Sequence, residues 1–421
     1  MKAASNRRTS AVACLVFLFS VAAAAASKPV AEKPESWVGT WASSPQLAAA
    51  TDMPQGIAFA DVTLRQLVHV SVGGSRLRVR FSNAFGTTPL AISTAHIATA
   101  LAKGSIVVDS DRELTFAGGP TVSIPPGAMM VSDPIDFKLP ALSDLAVTVH
   151  IKQAPAAITS HPGSRTTSYL LPGNVVAQAE MGQAISIDRW YFLNGVDVAA
   201  DSCAKSVAVL GDSIADGRGS TTNGNDRWPD NLARRLQQDK RTAKVGVLNE
   251  ALGGNRLLRD GIGPNVLARL DRDVLSQTGV RWLMVAEGIN DIGTQLRAKQ
   301  TNEDWATAED IIAAYRQIVL RAHAHGIKVY AATLLPFGGS LYDSADTEKE
   351  RQQVNQWIRA GGAFDGVIDF DSRTRAEKSP SQLAAAVDGG DHLHPNAAGY
   401  KMMADGIDLG LFAEQSCAST H

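Results

Sequence analysis

Apolar positions along the chain fall into two regimes that change near residue 200. From about Trp37 to Ala200 they alternate with polar ones over short stretches. Arg76-Leu-Arg-Val-Arg-Phe-Ser82 switches residue by residue, and Val62 to Val72 is β-branched and roughly alternating, with Gly73-Gly74 as a turn signal between them. A period of two puts one side of a strand in the core and leaves the other solvated. Short runs follow at Ser105–Val108, Glu113–Phe116, Thr121–Ile124 and Leu145–Ile151, punctuated by Gly or Pro. Strands at this spacing predict an all-β, sandwich or jelly-roll-like domain over residues 36–200.

After Ser206 short apolar runs alternate with long helical patterns. Val207–Leu210, Val245–Leu248, Trp282–Ala286, Val329–Thr333 and Val367–Phe370 read as buried parallel strands. One helix is predicted from Thr307 to His325, with Thr307 and Asp310 as a capping box and Gly326 as its stop. Another runs from Pro229 to Gln238, with proline in the first turn. Strands alternating with helices imply a parallel sheet covered on both faces, with ligands bound beyond the carboxyl ends of the strands.

Residues 1–26 read as a secretory signal: Lys2, Arg7 and Arg8, then an apolar core, then Ala24-Ala25-Ala26. This apolar stretch is shorter than the ~20 residues a bilayer requires, and no later segment is long and apolar enough to span one, so a secreted or periplasmic protein without membrane insertion is expected. The balance of 40 Lys and Arg against 42 Asp and Glu argues against a nucleic-acid partner. With 45% of its 421 residues apolar, the chain can bury enough surface to fold. Cleavage leaves two cysteines, Cys203 and Cys417, which export makes compatible with one disulfide.

The first strand of the second half runs into Gly211-Asp212-Ser213, which exposes a serine at a strand end. Near the other end of the chain, Asp391-His392-Leu393-His394 precedes a helix expected from Asn396. A carboxylate three residues before an imidazole can fix one ring nitrogen and leave the other as a base, which a serine hydroxyl needs to become a nucleophile. Two further segments follow strand ends. Asn249 to Asn255 includes Gly254, and Glu287-Gly-Ile-Asn-Asp291 includes Asn290. The Gly254 N–H, the Asn290 amide and the Ser213 N–H are candidate donors to a developing oxyanion.

Together these four blocks resemble the SGNH, or GDSL, hydrolase superfamily, in its order and over about 185 residues. The resemblance implies a flavodoxin-like three-layer αβα domain, here residues 206–417. It implies Ser213 as nucleophile, His394 as base, Asp391 as its orienting carboxylate, and Ser213, Gly254 and Asn290 as oxyanion hole, with no metal or organic cofactor. Ile214 stands where the family usually has Leu. The G-x-S-x-G elbow of the other large hydrolase fold is absent, since Ala215 replaces its last glycine. Trp37-Val-Gly-Thr-Trp41, Ala42-Ser-Ser-Pro45 and Arg218 to Pro229 are similar to segments of exported bacterial GDSL esterases that carry a β-rich region ahead of the hydrolase domain.

Other readings compete at several positions. Asp212 is read as bonding the backbone of its own turn. Asp388 competes with Asp391, and His392 with His394. Asn290 alone also reads as a helix cap. His323 and His325, His69 and His161 read as structural or surface histidines, and Trp282 and Trp305 as core or rim; Trp228, on the loop after Ser213, is a candidate contact for substrate. The sequence thus points to an exported serine esterase acting on a small-molecule or polysaccharide ester, short-chain or carbohydrate acetyl esters first. A lipase or lysophospholipase, and a non-catalytic carbohydrate-binding surface protein, are the alternatives.

Overall fold

The computed structural model describes residues 1, 35–301 and 305–413. The expected signal over residues 2–26 and the cysteine at 417 lie outside the described residues. Cys203 is disulfide-bonded. Among the described residues no helix is long and apolar enough to cross a membrane.

The first half is antiparallel β structure. One sheet orders Ser36–Ala42, Leu193–Ala200, Gly74–Ser82 and Met129–Val131, with Ile135–Leu139 also on Gly74–Ser82. A second orders Ile185–Ile187, Ser168–Pro172, Ala60–His69, Asp144–Gln153, Leu90–Thr99 and Arg112–Leu114, with Val122–Ile124 on Leu90–Thr99. The sheets close on one apolar core, to which Leu77, Val79 and Phe81 come from the first and Leu64, Ile97 and Val147 from the second. The alternation of Arg76–Ser82 therefore sets the strand's inner face as expected.

Its outer face is not all solvated, contrary to expectation. Arg80 is buried, donating to Gln277 Oε1 at 2.6 Å, and Arg78 reaches Asp197 at 3.0 Å. That face meets the second half of the chain, where guanidinium groups find partners in place of water. The strand expected over residues 105–108 is also absent. Short 3-10 turns at Ala102–Gly104 and Val108–Ser110 flank it, and Val107 and Val108 stay exposed.

The second half is a five-stranded parallel sheet in the order Val245–Asn249, Lys205–Gly211, Val280–Ala286, Lys328–Ala332, Gly366–Ile368. All five expected runs are strands, though the last stops at Ile368 and Phe370 starts a helix. Strands are added on both sides of Lys205–Gly211, and the right-handed crossover rule for parallel neighbours then puts helices on both faces. Trp228–Gln238 packs with Ala397–Asp405, and Ala308–Ala324 with Ala345–Ala360. The Ala308–Ala324 helix starts at the expected box: the Thr307 hydroxyl accepts from the Asp310 N–H, and the Asp310 carboxylate accepts from the Thr307 N–H at 3.0 Å. The result is a flavodoxin-like three-layer arrangement.

Both architectures belong to one compact unit that begins at Ser36. The seam is close and polar. Gly39 N donates to Thr278 O at 2.9 Å, Ser206 Oγ to Gly39 O at 2.8 Å, and Val247 N to Ser71 Oγ at 2.9 Å. A Cβ on Gly246 would lie 2.4 Å from the Gly39 carbonyl oxygen, so only glycine permits this approach.

Candidate active site

The Lys205–Gly211 strand, flanked in the sheet by Val245–Asn249 and Val280–Ala286, delivers its carboxyl end to the short helix Ser213–Asp216. Asp212 caps that helix, its Oδ1 accepting from Ile214 N at 2.9 Å, which is the backbone role expected for it. Burial pushes the Asp212 carboxyl up to about 7, with the charges of Asp291 and Asp216 working in the same direction against the Ile214 amide. Ser213 occupies the first helical turn, whose N–H groups have no intrahelical acceptor.

Ser213 Oγ lies 2.8 Å from His394 Nε2, and His394 Nδ1 lies 2.7 Å from Asp391 Oδ2. The other Asp391 oxygen accepts from the Leu393 and His394 amides at 3.1 and 2.9 Å, which fixes the carboxylate beneath the ring. A nitrogen facing a carboxylate carries the proton, so Nε2 is left to accept from the serine hydroxyl. Burial lowers the His394 pKa, and the charges of Arg218 and Arg165 lower it further, against the opposing pull of Asp391. At Asp391, burial pushes the carboxyl up, but the bonds from the His394 amide and ring outweigh it and hold it at about 2. Asp388 and His392 do not compete for this place. They pair with each other at 2.6 Å, with the His392 side chain largely exposed.

Gly254 has φ +72, and a Cβ there would lie 2.6 Å from Ile262 Cδ1. Its N–H donates to no other group among the described residues. Asn290 sits in the helix Ile289–Gly293 just past the Val280–Ala286 strand. Its Nδ2 donates to Asn255 O at 2.9 Å, and its Oδ1 accepts from Tyr342 OH at 2.8 Å. Those two bonds fix which way the amide points and leave one Nδ2 proton unassigned. The adjacent Asp291 carboxylate accepts from Leu257 N at 2.9 Å, tying the glycine loop to this helix. Burial pushes that carboxyl up to about 6, against the bonds from the Leu257 and Leu258 amides.

Ser213, Gly254, Asn290 and His394 line one cleft of about 610 Å³. The β half supplies the facing wall, including Asp52, His161, Arg165 and Arg189. His161, expected to be a surface or structural histidine, is buried; it bridges the Ser44 carbonyl at 2.9 Å and Asp216 Oδ1 at 3.0 Å, and so anchors the β half to the Ser213–Asp216 helix. Trp228 is no substrate platform. It is fully buried, with its ring 5.3 Å from that of Phe370. Trp282 is core as well, and His323 pairs with Asp365 at 2.8 Å. Tyr342, His161 and Arg165 escaped the sequence because nothing in their own neighbourhoods marks them. Their relation to the site exists only across long chain separations.

The arrangement can activate a hydroxyl nucleophile through a relayed hydrogen bond and present N–H groups to an anion beside it. Residues 209–402 match the GDSL-like Lipase/Acylhydrolase family. Among solved structures, a catalytic variant of an acetylxylan esterase from Geobacillus stearothermophilus is 18% identical, covering 50% of this chain and 95% of that one, with TM-score 0.39. A GDSL-like lipase from Bacteroides thetaiotaomicron is 17% identical, covering 48% and 84%, with TM-score 0.35. No curated protein matches the chain.

Proposed function

We propose, from the premise that the C-terminal half of the chain is a GDSL-like lipase/acylhydrolase (SGNH) domain and the protein a carboxylic ester hydrolase, that it works as an exported serine esterase on short-chain or carbohydrate acetyl esters. Ser213 attacks the ester carbonyl while His394 takes its proton, and Asp391 holds the ring and steadies the imidazolium. The oxyanion is met by the N–H groups of Ser213 and Gly254 and the free Asn290 amide proton. His394 returns the proton to the leaving alcohol. It then draws a proton from water, which releases the acid from the acyl-serine.

The observation that carries this reading is the hydrogen-bonded chain from Ser213 Oγ through His394 to Asp391, at 2.8 and 2.7 Å. The cleft wall of Asp52, His161, Arg165 and Arg189 favours a polar, sugar-like alcohol over a long acyl chain. Ser213→Ala is expected to abolish hydrolysis of 4-nitrophenyl acetate while unfolding at the same temperature as the wild type. Full activity in that variant would end the proposal. A series of 4-nitrophenyl esters is expected to peak at two carbons, and a maximum at eight or more would instead mark a lipase or lysophospholipase.

A further inference from the structure

The cleft is lined by three carboxylates and three guanidinium groups, but they are not paired one to one. Asp391 is engaged by the His394 ring and two amides. Asp216 is engaged by His161, and Asp52 by Arg189 at 3.3 Å and by the Ala49 amide at 2.9 Å. Arg165 makes no ion pair with any described residue, and its buried Nε has no hydrogen-bond partner. Arg218 has only a 3.9 Å contact with the already engaged Asp391, and its side chain is largely exposed. The Arg165 guanidinium is therefore left without a carboxylate partner among the described residues, in the cleft that holds the reacting groups.

The placement of Arg165 is also enforced. Its φ is +49, a conformation that a residue with a side chain adopts at a cost. The loop is clamped to the segment after the nucleophile helix, with Asn223 N donating to Arg165 O and Thr167 N to Asn223 Oδ1, both at 2.8 Å. A guanidinium group held this way presents a planar fork of donors that suits a carboxylate.

We propose that Arg165, with Arg218 beside it, forms a carboxylate subsite of the cleft, and that the ester cleaved is an O-acetylated sugar acid within an acidic glycan. The inference rests on the serine-esterase reading above. The acetyl group has no place for a charge, so the carboxylate belongs to the alcohol half of the substrate.

The test compares acetate release from an O-acetylated methyl glucuronoside and from its uncharged carboxamide. The wild type is expected to favour the acid in kcat/KM by roughly tenfold or more, the size of one charge-assisted hydrogen bond. The ratio is expected to fall toward unity in Arg165→Gln and to be partly kept in Arg165→Lys. If Arg165→Gln does not fold, the salt dependence decides: the acid's advantage in the wild type should shrink as sodium chloride is raised, and the carboxamide should be unaffected. Equal kcat/KM for the two substrates, or a preference undiminished in a folded Arg165→Gln, would overturn the subsite. Hydrolysis of 4-nitrophenyl acetate with neither sugar cleaved would also overturn it while leaving the esterase reading standing. No hydrolysis of any ester would count against the esterase reading itself.

Discussion

Replacing Asn290 with Ala isolates the one side-chain donor in the proposed oxyanion hole. Its amide is held at both ends, by Asn255 O at 2.9 Å and Tyr342 OH at 2.8 Å, so the remaining Nδ2 proton is oriented before any substrate arrives. Loss of one such donor costs about 3–4 kcal/mol in the transition state, or roughly 10²–10³ in kcat. The bond strengthens as charge develops, so KM should move much less. Truncation also strands the Tyr342 hydroxyl and the Asn255 carbonyl, at a stability cost of about 1–3 kcal/mol for each buried group left unpaired. Thermal unfolding must therefore be followed beside saturation kinetics on 4-nitrophenyl acetate. Tyr342→Phe releases only one end of the amide and should lower kcat less than Asn290→Ala does. A folded Asn290→Ala enzyme with wild-type kcat and a raised KM would refute the oxyanion role.

Two further predictions follow from buried ionisable groups. His394 acts as a base only when neutral, and burial lowers its pKa. The acid limb of kcat/KM should therefore have its midpoint below the usual imidazole value of about 6.5, and a midpoint at or above it would contradict the assignment. Glu287 is fully buried, with neither carboxylate oxygen hydrogen-bonded among the described residues, and burial followed by the Asp212 charge pushes it well above its ordinary value. A carboxyl raised on folding contributes stability that is full at acid pH and is lost as pH rises toward its folded value. Glu287→Gln should therefore raise the unfolding temperature more at pH 8 than at pH 5, and an equal change at both would argue that this group is not strained by ionisation.

A feature of this chain is legible in its sequence to the extent that it is encoded locally. The parallel strands were legible because burial on both faces makes each a continuous apolar run, as in Val207–Leu210 and Trp282–Ala286. The capping box at Thr307 and the helix cap at Asn396 lie within four residues of what they bond, so spacing alone identifies them. The same holds for Asp391 and His394. The β half was harder because its strands depend on what covers them. Arg78 and Arg80 look solvated in sequence and are paired at the seam, while Val107 and Val108 look buried and are exposed. His161 and Tyr342 gain meaning only from partners 55 and 52 residues away. Trp228 misled in the opposite sense, since a tryptophan near the nucleophile in sequence packs into the core beneath it.

Ester hydrolysis by this route requires that Ser213 be an activated nucleophile. A fluorophosphonate probe reacts with a serine whose proton is taken by a neighbouring base, and peptide mass spectrometry locates the adduct. The prediction is stoichiometric labelling at Ser213 in the wild type and loss of that adduct in His394→Ala. Native, folded protein that stays unlabelled, or that carries the adduct on another residue, would contradict it.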